Sequence, residues 1–187
     1  MNTSEHGRTI RVNRAPVLTL WATVIAERLG FDRDAALTLG RAVAGSSAQM
    51  KGRALGIYEP SEEAPSKVAE ERRERLNPDE PVGVRLLGWT VPALRTPDGI
   101  RAMEKDFRPA SAVSVGRYLA SKFGDRLDEV RAAMEQLAAS LSPEELDRHG
   151  FALYEAFRPA IPTGARGWGA AGELDPKRIT GLTHREP

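Results

Sequence analysis

The chain has 187 residues, 41% hydrophobic and 28% charged, with a formal net charge of +1 and no cysteine. That length accommodates one core, with or without appendages, and the lack of cysteine excludes a disulfide scaffold, a thiolate metal site and a cysteine nucleophile. No apolar run approaches the roughly 18 residues of a membrane span, and Met1–Ile10 holds no hydrophobic signal-peptide segment, so a cytoplasmic location with no membrane partner is expected.

Charge is unevenly placed along the chain. Residues 1–56 carry eight basic and four acidic side chains, whereas residues 57–80 carry four and eight. A local basic excess can bind phosphate whatever the balance of the whole chain.

The first element is a helix over Val17–Leu29, with Asn13 as cap, Pro16 in the first turn and Gly30 as stop. Its apolar residues Val17, Leu18, Leu20, Trp21, Val24, Ile25 and Leu29 leave little polar face, which predicts a place in the core or in a subunit interface, and hence self-association. A second helix opens at Asp32 and runs toward Leu55. Its small residues, Gly40, Gly45, Ser46, Ser47 and Gly52, imply either a break near Gly45 or close approach of another backbone. An acidic connector over Glu59–Ser66 and a short charged helix over Lys67–Leu76 follow.

Alternation of Val82, Val84 and Leu86, then Trp89 and Val91, marks an extended island over Val82–Met103. Thr96-Pro97-Asp98-Gly99 has the residues of a type I turn and predicts a β-hairpin, and Pro92 argues that at least one of its strands lies on an edge. Three helices come next: one capped by Ser111 and ending at Phe123, one capped by Asp125, and one opened by the capping box Ser142-Pro143-Glu144-Glu145. Gly150 admits a kink in the last of these. The segment Pro159–Pro187, with several glycines around Trp168, reads as a loop-rich tail. The expected fold class is therefore mainly α: a multi-helix domain over 1–158, a small hairpin inserted near 82–103, and a C-terminal tail over 159–187.

Ala26-Glu27-Arg28-Leu29-Gly30-Phe31-Asp32-Arg33 resembles the turn of the helix-turn-helix family of DNA-binding motifs. Ala26 and Gly30 have the spacing that lets two helices meet closely, Phe31 takes the apolar turn position, and Asp32 takes the cap. The resemblance covers segment 26–41 and implies DNA as partner, with Arg33, Asp34, Thr38 and Arg41 available to read bases. Separately, Arg8, Arg11 and Arg14 are spaced by three and can track a phosphate backbone as an arm, and Lys51 and Arg53 extend the basic surface. On the hairpin and just beyond it, Arg95, Arg101, Lys105 and Arg108 are interleaved with Asp98, Glu104 and Asp106, which reads as a neutral surface.

Signals for chemistry are few. His6, His149 and His184 are far apart, there is no metal-ligand spacing, and neither a Gly-x-Ser-x-Gly turn nor a phosphate-binding glycine loop occurs. No catalytic residue, metal or cofactor is assigned. Arg166 and Trp168, between glycines, are candidates for a ligand lip. The leading expectation is a bacterial-type nucleic-acid-associated or regulatory protein that binds through its basic N-terminal half. The alternatives are a homo-oligomeric interaction protein without catalysis, and a small-molecule-binding protein or enzyme with a pocket near Trp168 or the hairpin.

Overall fold

The computed structural model describes residues 9–54, 81–160 and 171–184. In chain order its elements are β1 (Ile10–Val12), α1 (Arg14–Arg28), α2 (Arg33–Ala54), β2 (Val82–Leu86), β3 (Trp89–Thr96), β4 (Gly99–Ala102), α3 (Ala112–Phe123), α4 (Leu127–Ala139), α5 (Pro143–Phe157), β5 (Gly172–Leu174) and α6 (Pro176–Gly181). The fold is mainly α, as the helical periodicity predicts. Extended structure exceeds the single expected hairpin: β2, β3 and β4 form an antiparallel meander, and β1 pairs separately with β5. No helix among the described residues is long and apolar enough to cross a membrane.

α1 is the centre of the core. Eleven of its fifteen residues are buried, including Thr19 and Thr23, whose hydroxyls donate to the carbonyls of Ala15 and Thr19 four residues back, at 2.9 and 2.7 Å. Trp21 donates its indole N–H to the Gly150 carbonyl at 2.8 Å and meets Phe157 edge-on at 5.4 Å. The apolar stripe that suggested a subunit interface is thus covered by this chain's own α2, α4, α5 and sheet.

The α1–α2 corner forms as the sequence predicts. Gly30 has φ of +109°, its N–H donates to Glu27 O, and the Phe31 N–H reaches back to Ala26 O. This pair of bonds is a Schellman stop. Asp32 then caps α2 by accepting the Ala35 N–H at 2.8 Å. α2 is continuous through Gly45, so close approach, not a break, accounts for its tolerance of glycine at one point. A methyl at Gly40 would lie 2.6 Å from Thr19 O and 2.8 Å from Thr23 N, so only glycine lets α1 and α2 pack at this distance.

One local expectation holds and one is corrected. Pro92 lies on β3, the middle strand of the meander, while β2 and β4 are its edges, as the expectation of at least one edge strand requires. Its carbonyl accepts from Met103, one residue beyond Ala102, so the ring nitrogen faces a point where β4 has already ended and no ladder bond is lost. Asp125 does not cap α4, because a 3-10 turn over Gly124–Arg126 intervenes and leaves Arg126 at the cap without a side-chain bond. Ser111 and the Ser142–Glu145 capping box do act as caps.

The turn between β2 and β3 places Leu87 at φ +54° and Gly88 at +82°. Positive φ is costly for leucine. It is offset by insertion of the buried Leu87 side chain against Gly150, where a β-carbon would collide with it. Gly150 therefore serves packing inside an unbroken α5.

Beyond Pro159 the chain is not simply a loop-rich tail. β5 pairs with β1 in the register Ile10↔Leu174, and Leu174 and Ile179 are fully buried in the same hydrophobic cluster as α1. The Glu59–Ser66 connector, the Lys67–Leu76 helix and the Trp168 region lie outside the described residues.

Candidate functional site

Charged residues are partitioned among the helices. α2 and α3 together carry six basic side chains (Arg33, Arg41, Lys51, Arg53, Arg117 and Lys122) against one acid, Asp34. That acid is paired with Arg101 on β4 at 3.6 Å. α4 and α5 carry seven acids against two arginines. The overall charge near zero conceals this asymmetry.

Between the middle of α2, the end of the meander and α3 lies an open groove of about 830 Å³. Its α2 wall contains Arg41, Ala42, Gly45 and Ser46, and its α3 wall Ser111, Ser114, Val115 and Tyr118. Pro92, Ala102 and Met103 add apolar surface to the lining, and Glu104, Lys105, Asp106 and Ala110 complete it. Arg41, exposed to solvent, lies with its guanidinium 4.5 Å from the centre of the Tyr118 ring, and Lys122 approaches the same ring at 6.0 Å. A cation at these distances is held by the ring's negative face. Partial burial raises the Tyr118 hydroxyl's pKa, and the neighbouring Arg41 opposes that shift.

The walls of the groove are joined by side-chain and backbone hydrogen bonds. Thr38 accepts the Ala102 N–H at 2.9 Å while donating to Ala35 O, which fastens α2 to β4. Ala110 N–H donates to Ala102 O, Met103 N–H to Pro92 O, and Glu104 N–H to Arg108 O. These bonds close a rim loop in which Phe107 is held at φ +64°, a conformation that costs a non-glycine residue on the order of 1 kcal/mol or more. Asp106 is paired with Arg108 at 3.3 Å.

The residues singled out from sequence fall in different places. Arg11 is exposed on β1. Arg14 is turned inward: its Nε donates to Pro159 O at 3.2 Å, and burial together with Arg158 nearby pulls its pKa below the ordinary arginine value. The three-residue spacing of the arm therefore does not give Arg11 and Arg14 a common environment. Arg33 is exposed at the start of α2, but Thr38 is 1% exposed and both its hydrogen-bonding roles are taken. Thr38 anchors the wall and has no free edge with which to read a base.

Every residue over 35–40 is buried, so α2 has only a narrow outer face over these turns. Of the proposed contacts, Thr38 and Arg41 line the groove, and Arg41 is the exposed one of the two. Lys51 and Arg53 lie on the last turns of α2; Arg8, Arg166 and Trp168 lie outside the described residues. Tyr118, Lys122 and the three serines were not singled out, because Tyr118 reads equally well as part of an apolar stripe. The available signal was a helix with Arg117 and Lys122 and no acid.

No family model matches the chain, and neither does any curated protein or solved structure.

Proposed function

We propose that this protein binds nucleic acid, and that the contact surface is the α2–α3 face instead of the N-terminal arm and the α1–α2 corner. The observation that carries the proposal is the Arg41–Tyr118 stack on the wall of an open groove, on a pair of helices with six basic residues and one paired acid. A guanidinium stacked on a ring keeps its outer face and its N–H groups for a base or a phosphate. A second reading, a small-molecule site in the same groove, is favoured by the apolar lining residues Pro92, Ala102 and Met103 and by a volume in the range of ligand pockets.

The test is a fluorescence-anisotropy titration with labelled oligonucleotides at several salt concentrations. Each phosphate neutralised contributes a slope of about −0.7 to −0.9 in log affinity against log salt. Replacing the exposed Lys105, Arg117 and Lys122 with glutamine is expected to flatten that slope by up to about 2 to 3 units. Replacing Arg11 and Arg28, on the N-terminal arm and the α1–α2 corner, instead should leave it nearly unchanged. A slope that responds only to the second pair would return the surface to the N-terminal half. No binding by the unaltered protein would move the assignment to the small-molecule reading.

A further inference from the structure

The two edges of the meander differ in where their backbone groups go. Pro92 O accepts from Met103, so Pro92 faces β4, and Gly83, opposite Pro92, directs its N–H and C=O away from β3. By the same alternation Arg85 faces outward, while Val82, Val84 and Leu86 face β3. On β4 the outward residues are Ile100 and Ala102. Ala102 N–H donates to Thr38 Oγ1 at 2.9 Å, Ala102 O accepts the Ala110 N–H at 2.7 Å, and Ile100 O accepts from Arg101 at 2.8 Å. The β4 edge is therefore closed by its own chain. On β2 the backbone groups of Gly83 and Arg85 have no partner among the described residues, and both residues are exposed.

We infer that this open edge is a self-association surface, at which β2 pairs antiparallel with β2 of a second copy about Val84. An unpaired strand edge is a template for another strand. The usual guards are weak here. β2 has no proline or bulge over Val82–Leu86, and its one charge, Arg85, is drawn to Asp147 on α5 at 3.3 Å. The residues of β2 also select the partner and the register. Centring on Val84 sets Gly83 opposite Arg85 of the second copy, so both outward residues of each strand are used, with about four hydrogen bonds between copies. Each guanidinium then lies across a glycine, which puts no side chain in its way. Centring on Arg85 would instead bring the two guanidiniums face to face and set Gly83 against Leu87, in the turn beyond the strand. No β2 residue lines the groove, so this surface stands apart from the reading above.

The chain has no cysteine, so single-cysteine variants report the register directly. In a pair centred on Val84 the two Val84 Cα atoms are about 4.5 Å apart, within reach of a disulfide, whereas the two Arg85 Cα atoms are more than about 7 Å apart and out of reach. Under mild oxidation Val84→Cys should give a covalent dimer, and Arg85→Cys, although exposed, should not. Random collision would give the opposite order, because Val84 is buried and Arg85 is not.

Sedimentation equilibrium of the unaltered chain should show the mass rising from one chain toward two between about 10 μM and about 1 mM, as suits a small interface. Arg85→Pro removes an outward N–H without touching a β2–β3 ladder bond. It should move the association midpoint about tenfold or more to higher concentration, for the two hydrogen bonds lost per dimer. Arg85→Ala keeps that N–H and loses the same contact with Asp147, and should move the midpoint by less than about threefold. A chain that stays monomeric at about 1 mM would overturn the inference. So would cross-linking at residue 85 in preference to residue 84, or a midpoint that Arg85→Pro leaves unchanged.

Discussion

Tyr154 shows how a single buried hydroxyl links the N-terminal and C-terminal parts of the core. It is 2% exposed, packs edge-on against Phe157 at 6.1 Å, and donates to the Arg14 carbonyl at 3.3 Å. Burial raises its pKa to about 12, with the Arg14 and Arg158 charges opposing the shift. An unfolded tyrosine titrates near 10. The folded protein therefore holds the proton more tightly, and this contribution is complete below about pH 10 and is lost as pH rises toward 12. Tyr154→Phe should cost about 0.5–1.5 kcal/mol near neutral pH for the lost hydrogen bond. It should also flatten the decline in stability between about pH 10 and 12, measured by urea unfolding at a series of pH values. An unchanged alkaline profile in the variant would show that Tyr154 does not carry that linkage.

At the scale of elements, the α1–α2 pair illustrates how a sequence can specify a corner without specifying its use. Ala26, Gly30, Phe31 and Asp32 together dictate a helix stop, a tight turn and a new cap, and all of these form. The crossing that follows depends on Gly40. Gly40→Ala gains helix propensity of about 1 kcal/mol, but its methyl meets backbone atoms of Thr19 and Thr23, which cannot rotate away. Overpacking of this kind costs about 1–3 kcal/mol, and at a backbone contact the upper end applies. Thermal unfolding should therefore show a lower midpoint, by roughly 2–4 °C per kcal/mol for a chain of this size. A higher midpoint would mean that α1 and α2 can separate without loss.

For the whole molecule, the return of the chain end to its beginning is the decisive feature. Leu174 and Ile179 are fully buried, and β5 is the only ladder partner of β1 among the described residues. Burying each such side chain stabilises by about 1.5–3 kcal/mol, a large share of the roughly 5–15 kcal/mol that holds a domain together. A chain ending at residue 170 should accordingly lose most of its cooperative unfolding transition, followed by circular dichroism. A truncated chain with an unaltered transition would reinstate the tail as an appendage. The half-buried contact of Arg131 with Glu27, extended to Glu135 at 2.8 Å, ties α4 to the end of α1. Together with the C-terminal return, it leaves α1 enclosed by its own chain.

The sequence by itself determined the helices of the described residues, the caps at Asp32, Ser111 and Ser142 and the turn at Thr96–Gly99, because capping, helical periodicity and turn chemistry act within a few residues. Asn13 and Asp125, expected as caps, make no side-chain cap bond to α1 and α4. It did not reveal the β1–β5 pair, since strands of three residues carry almost no alternation and pair across more than 150 positions. Nor did it distinguish Gly40 from Gly45: both are glycines inside one helix, and only Gly40 meets a close backbone contact among the described residues. The groove likewise was decided by tertiary structure. Its residues come from α2, the meander and α3, and local periodicity assigns Tyr118 to an apolar stripe with no sign of the arginine stacked on it. Thr38 was misplaced for the same reason, because its partner is a backbone N–H sixty-four residues away, and burial is a property of the assembled chain.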